Sequence, residues 1–176
     1  MISVHDSYKH CGVDKFYNDH AEDYINHHSK AIFKHLDSYH ELIKNGSNIL
    51  DLCSGDGLVT KYLSSKYPDI EFTGVDPYLY QRYNSETQFH CFDYNFKYLA
   101  QNQINQKFDL IICSFALHLC PSDLLPSVLF QLSLISDKLL ILSPHKKPDI
   151  SHYWQLDSKL LIDKVHSKLY LSKISI

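Results

Sequence analysis

Five short strand-like runs recur along the chain with helix-like segments between them: NILDLC (48–53), IEFTGVD (70–76), TQFHCFD (87–93), FDLIICSFAL (108–117) and KLLILSP (138–144). Their apolar residues are mostly continuous rather than alternating, as a strand buried on both faces requires. Strands spaced by helices in this way predict an α/β fold, a doubly wound, mostly parallel sheet with helices on both faces. Residues 14–44 carry apolar residues at amphipathic helical spacing and stop at Asn45-Gly46. Residues 58–67 read as a helix ended by Pro68, and 121–135 as a helix with Ser122 as its N-cap and Pro126 in its first turn. Residues 77–86 read as a loop or helical turn, and the polar stretch through 107 as a connection or helix. Beyond the fifth run, a helix over roughly 153–164 and a single strand, 165–173, are expected.

A chain of 176 residues is long enough to bury one core and is expected to form one domain. Its expected parts are an N-terminal helical cap (1–45), a ligand-binding core (46–145), and a C-terminal helix with an edge strand (146–176). The formal net charge of −3 and the lack of a basic stripe argue against a nucleic-acid partner. The polar N-terminus has no signal core, and no apolar stretch approaches ~20 residues, so no membrane span is expected. Five cysteines with no Cys-x-x-Cys pair suggest buried thiols in a reducing, cytoplasmic setting rather than disulfides or zinc. His20, His27 and His28 share one expected helix, but their spacing suits a solvated face better than a metal site.

With only five glycines available, the chain places two in one turn, in the stretch ILDLCSGDG (49–57). In a doubly wound sheet the turn after the first strand lies at the ligand edge. Gly55 and Gly57 are expected there to permit unusual backbone angles and close ligand approach. Asp76, nineteen residues beyond Gly57 at the end of the second strand, has the spacing that hydrogen-bonds a ribose diol. Asp51 and Asp93 put acids on the first and third strands as well. Thr60 stands where a dinucleotide fingerprint has its third glycine, which disfavours a nicotinamide-dependent oxidoreductase. No nucleoside-triphosphate loop is present either. A ligand with a ribose and no pyrophosphate fits best.

ILDLCSGDGLVTKYL, FTGVDPY, FHCFDYN, FDLIICSFALHL and LLILSPHK together resemble, in order and spacing, the motifs of the class I S-adenosylmethionine-dependent methyltransferases, a Rossmann-like superfamily. With the upstream FYNDHAEDY, similar to the family's cofactor-covering helix, the resemblance spans most of the chain. It implies S-adenosyl-L-methionine as cofactor. Asp51 and the turn through Cys53, Ser54, Gly55 and Gly57 would cradle its methionine part. Asp76, followed by Pro77, would hold the ribose. Asp93 would bond the adenine amine, with Phe92 or Tyr94 flanking the ring, and Ser114, Phe115 and the residues to His118 would floor the site near the methyl. Cys53 departs from the family, which usually has glycine there. The family's closing strand hairpin also looks shortened, leaving a sheet edge open to a protein partner or a dimer.

Transfer of the methyl group to an oxygen or protonated nitrogen needs a nearby base. His118 is the first candidate, set against a role in capping the turn before Pro121, and His145 is the second. Tyr17 and Tyr24 are candidates for closing over the cofactor, with packing as the alternative. SFAL (114–117) lacks the Asn/Asp-Pro-Pro-Tyr loop with which family members grip planar amines. A small-molecule acceptor is therefore expected ahead of RNA or protein. The competing reading is a non-catalytic methyltransferase-like subunit or scaffold.

Overall fold

The computed structural model describes residues 28–174. A helix, α1 (Ser29–Ser38), precedes the alternation β1 (Asn48–Leu52), α2 (Leu58–Lys66), β2 (Glu71–Val75), α3 (Tyr80–Thr87), β3 (His90–Phe92), α4 (Phe96–Gln101) and β4 (Leu110–Ser114). A 3₁₀ turn (Leu117–Leu119), α5 (Leu125–Ser133), β5 (Lys138–Ser143), β6 (Trp154–Ile162) and β7 (Val165–Ser172) follow. The sheet order is β3-β2-β1-β4-β5-β7-β6. β3 through β5 pair in parallel, and β7 pairs antiparallel with both β5 and β6. Chain order reverses between β1 and β4, which makes their carboxyl ends the switch point where such sheets hold ligands.

Consecutive residues of the central strands feed two cores, one on each face. Leu50, Leu52, Ile111, Cys113, Leu139 and Ile141 pack with Val128, Leu129 and Leu132 of α5 and with Trp154 and Tyr170. Ile49, Leu110, Ile112, Leu140 and Leu142 pack on the other face with Ile32 and Leu36 of α1 and Val59 and Leu63 of α2. Burial on both faces explains the unbroken apolar runs. Polar contacts add to α1's docking on β7: His35 Nε2 lies 3.0 Å from Val165 O, and Tyr39 OH lies 3.2 Å from Ser167 Oγ.

The C-terminal expectation is corrected. Residues 153–164 do not form a helix, and the hairpin is not shortened: Trp154–Ile162 is the edge strand β6, joined to β7 by two residues. Those residues, Asp163 and Lys164, have φ of 50° and 66°. That is the left-handed pair a tight hairpin demands, usually written Asp-Gly or Asn-Gly. Lysine in the glycine position hid the turn, and the exposed Leu160 and Leu161 imitated a helix face. A register shift between Leu156 and Ser158 further breaks the period of two. The dimer or partner expected from a missing strand thereby loses that basis.

Smaller corrections follow the same logic. Leu124, not Ser122, is the N-cap of α5, with no side-chain cap; Leu124 and Leu125 instead donate their N–H groups to Pro121 O at 3.0 Å. The expected strand 87–93 shrinks to His90–Phe92 because α3 runs to Thr87 and closes with Gln88 at φ 67°. No helix among the described residues is long and apolar enough to cross a membrane.

Candidate functional site

The turn after β1 is held open by three left-handed residues: Cys53 (φ 57°), Gly55 (φ 57°) and Gly57 (φ 82°). Cys53 pays about 1–2 kcal/mol for a conformation glycine adopts freely. The turn is pinned to β2 at two points. Ser54 N–H donates to Val75 O at 3.1 Å, and Gly55 N–H donates to Asp76 Oδ2 at 2.9 Å. The other oxygen of Asp76 accepts from Tyr78 N–H at 2.9 Å and Leu79 N–H at 2.8 Å. Asp76 is 7% exposed. Burial pushes its carboxyl up, against the pull of the three backbone N–H groups. A carboxylate offers about four lone-pair sites, so one remains for a ligand hydroxyl.

Behind the turn lies a buried polar relay. Thr60 Oγ1 donates to Asp51 Oδ2 at 2.8 Å and lies 2.8 Å from Tyr83 OH. The threonine proton is committed to Asp51, so the tyrosine hydroxyl donates to Thr60. Asp51 is 1% exposed, and burial pushes its carboxyl up to about 7, opposed by the Thr60 hydrogen bonds. Tyr83 reaches this place by lying flat against two glycines. A Cβ on Gly57 would sit 2.5 Å from Thr87 Cγ2 and 3.0 Å from Tyr83 Cδ2, and one on Gly74 would sit 2.8 Å from Tyr83 Cζ. Gly57 lines neither cavity described below, while its left-handed φ of 82° and the packing of α3 against it both call for glycine.

A cavity of about 410 Å³ opens at the carboxyl ends of β1, β2 and β4. Cys53, Gly55, Asp76, Pro77, Tyr94, Ser114 and Phe115 line it, all expected site residues. A neighbouring recess of about 30 Å³ is lined by Asp51 and Ser54 and shares Cys53, Gly55 and Ser114 with the larger cavity. Ser114 Oγ is buried without a hydrogen-bond partner among the described residues. A buried hydroxyl left so on a cavity wall is a place for a ligand atom. Tyr94 is backed by Phe92 at 4.7 Å and Tyr98 at 4.1 Å, ring to ring, giving the cavity a rigid aromatic wall. Phe115 holds the opposite wall at φ 60°, its N–H bonded to Leu142 O at 2.8 Å and its ring stacked on His28 at 4.9 Å.

Other expected residues fall outside this lining. Asp93 is exposed and lines neither cavity. β3 ends at Phe92, and the next residues that line the cavity are Tyr94 and Asn95, whose Oδ1 caps α4 by accepting from Tyr98 N–H at 2.9 Å. His118 sits on the 3₁₀ turn between the lining residues Ala116 and Leu119, edge-on to His145 with ring centroids 4.9 Å apart. Neither histidine lines the cavity. Tyr17, Tyr24, His20, His27 and the FYNDHAEDY segment lie outside the described residues. The Cys113 thiol beside it, together with burial, holds the Cys53 thiol well above its ordinary range, so it is a poor nucleophile. Sequence reasoning missed Leu99, Leu119, Pro121 and Leu124, which complete the apolar wall. The one available signal was the Pro121 turn that leads into α5.

Residues 49–133 match a family model described as a methyltransferase domain. An uncharacterised protein of Schizosaccharomyces pombe is 25% identical, over 97% of this chain and 92% of its own length. Malonyl-[acyl-carrier protein] O-methyltransferase of Acetivibrio thermocellus is 34% identical over 39% of this chain and 25% of its own length. Among solved structures, an S-adenosylmethionine-dependent methyltransferase from Aquifex aeolicus has a TM-score of 0.68 at 12% identity, covering 89% of this chain and 98% of its own.

Proposed function

We propose that this chain, whose residues 49–133 match a methyltransferase domain, is a class I S-adenosylmethionine-dependent methyltransferase that transfers the methyl group to a nucleophilic oxygen or nitrogen of a small molecule. The observation that carries the reading is the 410 Å³ cavity in which Asp76, Tyr94 and Ser114 converge at the switch point. Bound there, the cofactor supplies an electrophilic methyl on a sulfonium. Positioning and exclusion of water then account for most of the rate, with roughly 7–11 kcal/mol available from orientation alone.

The residues divide the work by place. Asp76 accepts from a ribose hydroxyl through its one remaining lone-pair site. Tyr94 stacks on the adenine. The N-terminus of α2, whose first residues Leu58 and Val59 line the small recess, faces the cofactor carboxylate. Asp51 meets the cofactor ammonium across the small recess, and the positive charge draws its proton off. Ser114 Oγ bonds the methionine end. Phe115 and Ala116 floor the acceptor side, and His118, on the turn just beyond them and edge-on to His145, takes the acceptor's proton. Asp93 contributes to the electrostatics of the rim rather than to a bond with adenine.

The test is thermal denaturation with S-adenosylhomocysteine and with NAD, followed by transfer of labelled methyl groups into small-molecule extracts. Ligand linkage gives about 2.7 kcal/mol of stabilisation at a hundredfold excess over Kd. S-Adenosylhomocysteine should raise the midpoint and NAD should not. No shift at millimolar S-adenosylhomocysteine in folded protein would sink the reading.

A further inference from the structure

The basic side chains gathered at the carboxyl ends of β4 and β5 narrow the chemistry of the acceptor. His118 and His145 stand 4.9 Å apart, ring to ring, beside the cavity wall. Lys146 and Lys147 follow at once and are exposed. Antiparallel β7 brings His166 opposite Ser143 and Lys168 opposite Ile141. Lys168 Nζ donates to Lys146 O at 2.7 Å and so fastens the loop to the sheet. One strand further out, Lys159 lies directly opposite Lys168. Like charges in facing positions destabilise a strand pair, so the fold bears a cost to keep them together.

Among the described residues none of Lys146, Lys147, Lys159 and Lys168 forms an ion pair. The nearby acids offset them only in part: Asp149, which feels Lys168 and accepts from Ser151 N–H, and the exposed Asp157 set two negative charges against the four lysines, while Asp163 is paired with Lys34. Four lysines and three histidines thus share one edge of a chain whose net charge is −3.

We infer that this edge anchors the acceptor, and that the acceptor carries an oxyanion, a carboxylate or a phosphate, held by Lys146 and Lys147 on the loop that Lys168 fixes. The inference rests on the methyl-transfer reading and deepens it. The anionic end binds at the 145–147 loop while the nucleophilic atom reaches past His118 toward the cavity. A compact anion fits better than a polynucleotide. The patch is confined to one loop and the ends of neighbouring strands, and the chain's overall negative charge opposes a long polyanion.

The test uses the full chain, with and without S-adenosylhomocysteine, and follows amide and imidazole NMR signals as inorganic phosphate and succinate are added separately. Saturable shifts are expected at residues 118, 145–147, 166 and 168, with Kd about tenfold weaker in Lys146→Glu/Lys147→Glu, as loss of charge-assisted bonds implies. The double variant should bind S-adenosylhomocysteine as the unmodified chain does. Lys146→Gln/Lys147→Gln provides the same comparison without charge reversal. Response to phosphate alone assigns a phosphate-bearing acceptor, to succinate alone a carboxylate, and to both the shared oxyanion. The inference is overturned if neither probe binds, if shifts spread equally to distant lysines such as Lys30 and Lys107, or if both variants respond unchanged. It is also overturned if a single-stranded oligonucleotide binds more tightly than either probe with a steep salt dependence. Loss of S-adenosylhomocysteine binding would strike the methyl-transfer reading alone, because the anion titration is read separately without it.

Discussion

Thr60 Oγ1 stands 2.8 Å from Asp51 Oδ2 in a part of the protein closed to water. The threonine occupies the position where a dinucleotide-binding turn would have glycine, and it supplies a side-chain donor to the buried acid. Asp51 is thereby poised to change charge when a cation arrives.

The first expectation concerns pH. Asp51 has its carboxyl pushed from 3.8 up to about 7. Between these values the unfolded chain has released the proton and the folded chain retains it. Raising the pH through that window therefore favours unfolding, by at most about 4 kcal/mol in total. Asp51→Asn should flatten this slope and stabilise the ligand-free protein at pH 8. The same variant should weaken S-adenosylhomocysteine binding. Denaturation midpoints at pH 5, 6.5 and 8, with and without ligand, check both signs.

Thr60→Val removes the donor and leaves the Asp51 carboxylate buried with one bond fewer. The expected cost is about 1–3 kcal/mol, larger at pH 8 than at pH 5 because only the charged form misses the bond. Urea denaturation at the two pH values measures it. Equal losses at both would refute the relay.

Asp76→Asn keeps an acceptor for Tyr78 and Leu79 but sets an amide N–H group against Gly55 N–H. The turn after β1 should loosen, and S-adenosylhomocysteine affinity should fall by at least about tenfold, with fold stability reduced by about 1–2 kcal/mol. Isothermal titration calorimetry reads the affinity. An unchanged Kd would remove Asp76 from the ligand site.

Gly57→Ala brings a Cβ to 2.5 Å from Thr87 Cγ2 at φ 82°. A loss of about 2 kcal/mol or more is expected, from strain and displaced α3 packing together. Because Gly57 lines no cavity, ligand affinity in the surviving folded fraction should change far less than in Asp76→Asn.

Lys164→Gly should do the reverse at the hairpin. Glycine removes the left-handed penalty at φ 66°, so a gain of about 1 kcal/mol, or about 2–4 °C in Tm, is expected. Thermal unfolding decides it.

The parallel half of the fold was legible because burial on both faces writes itself into sequence as unbroken runs such as LIIC, and no other element of that length does so. The antiparallel half was not. β6 buries little beyond Trp154, and its turn lacks the glycine that announces such hairpins. Within the site, Asp76 could be placed by spacing because a five-residue strand fixes where its end points. Asp93 is less fixed by spacing, because three-residue β3 ends before it and Tyr94 and Asn95 line the cavity instead. The role of Gly57 lay beyond sequence altogether, since it depends on where Tyr83 comes to rest.

β7 follows β6 in the chain but lies inside it in the sheet. β6 therefore has nothing to pair with until the strand after it has been made. During synthesis the nine residues of β6, with Leu156, Leu160 and Leu161, must wait in solution, and β5 remains an unfinished border meanwhile. Loss of the residues from Val165 onward would thus release two strands rather than one and expose the apolar flank of β5 to other chains. Since β7 also receives α1 through His35 and Tyr39, the last described strand fastens the first described helix in place.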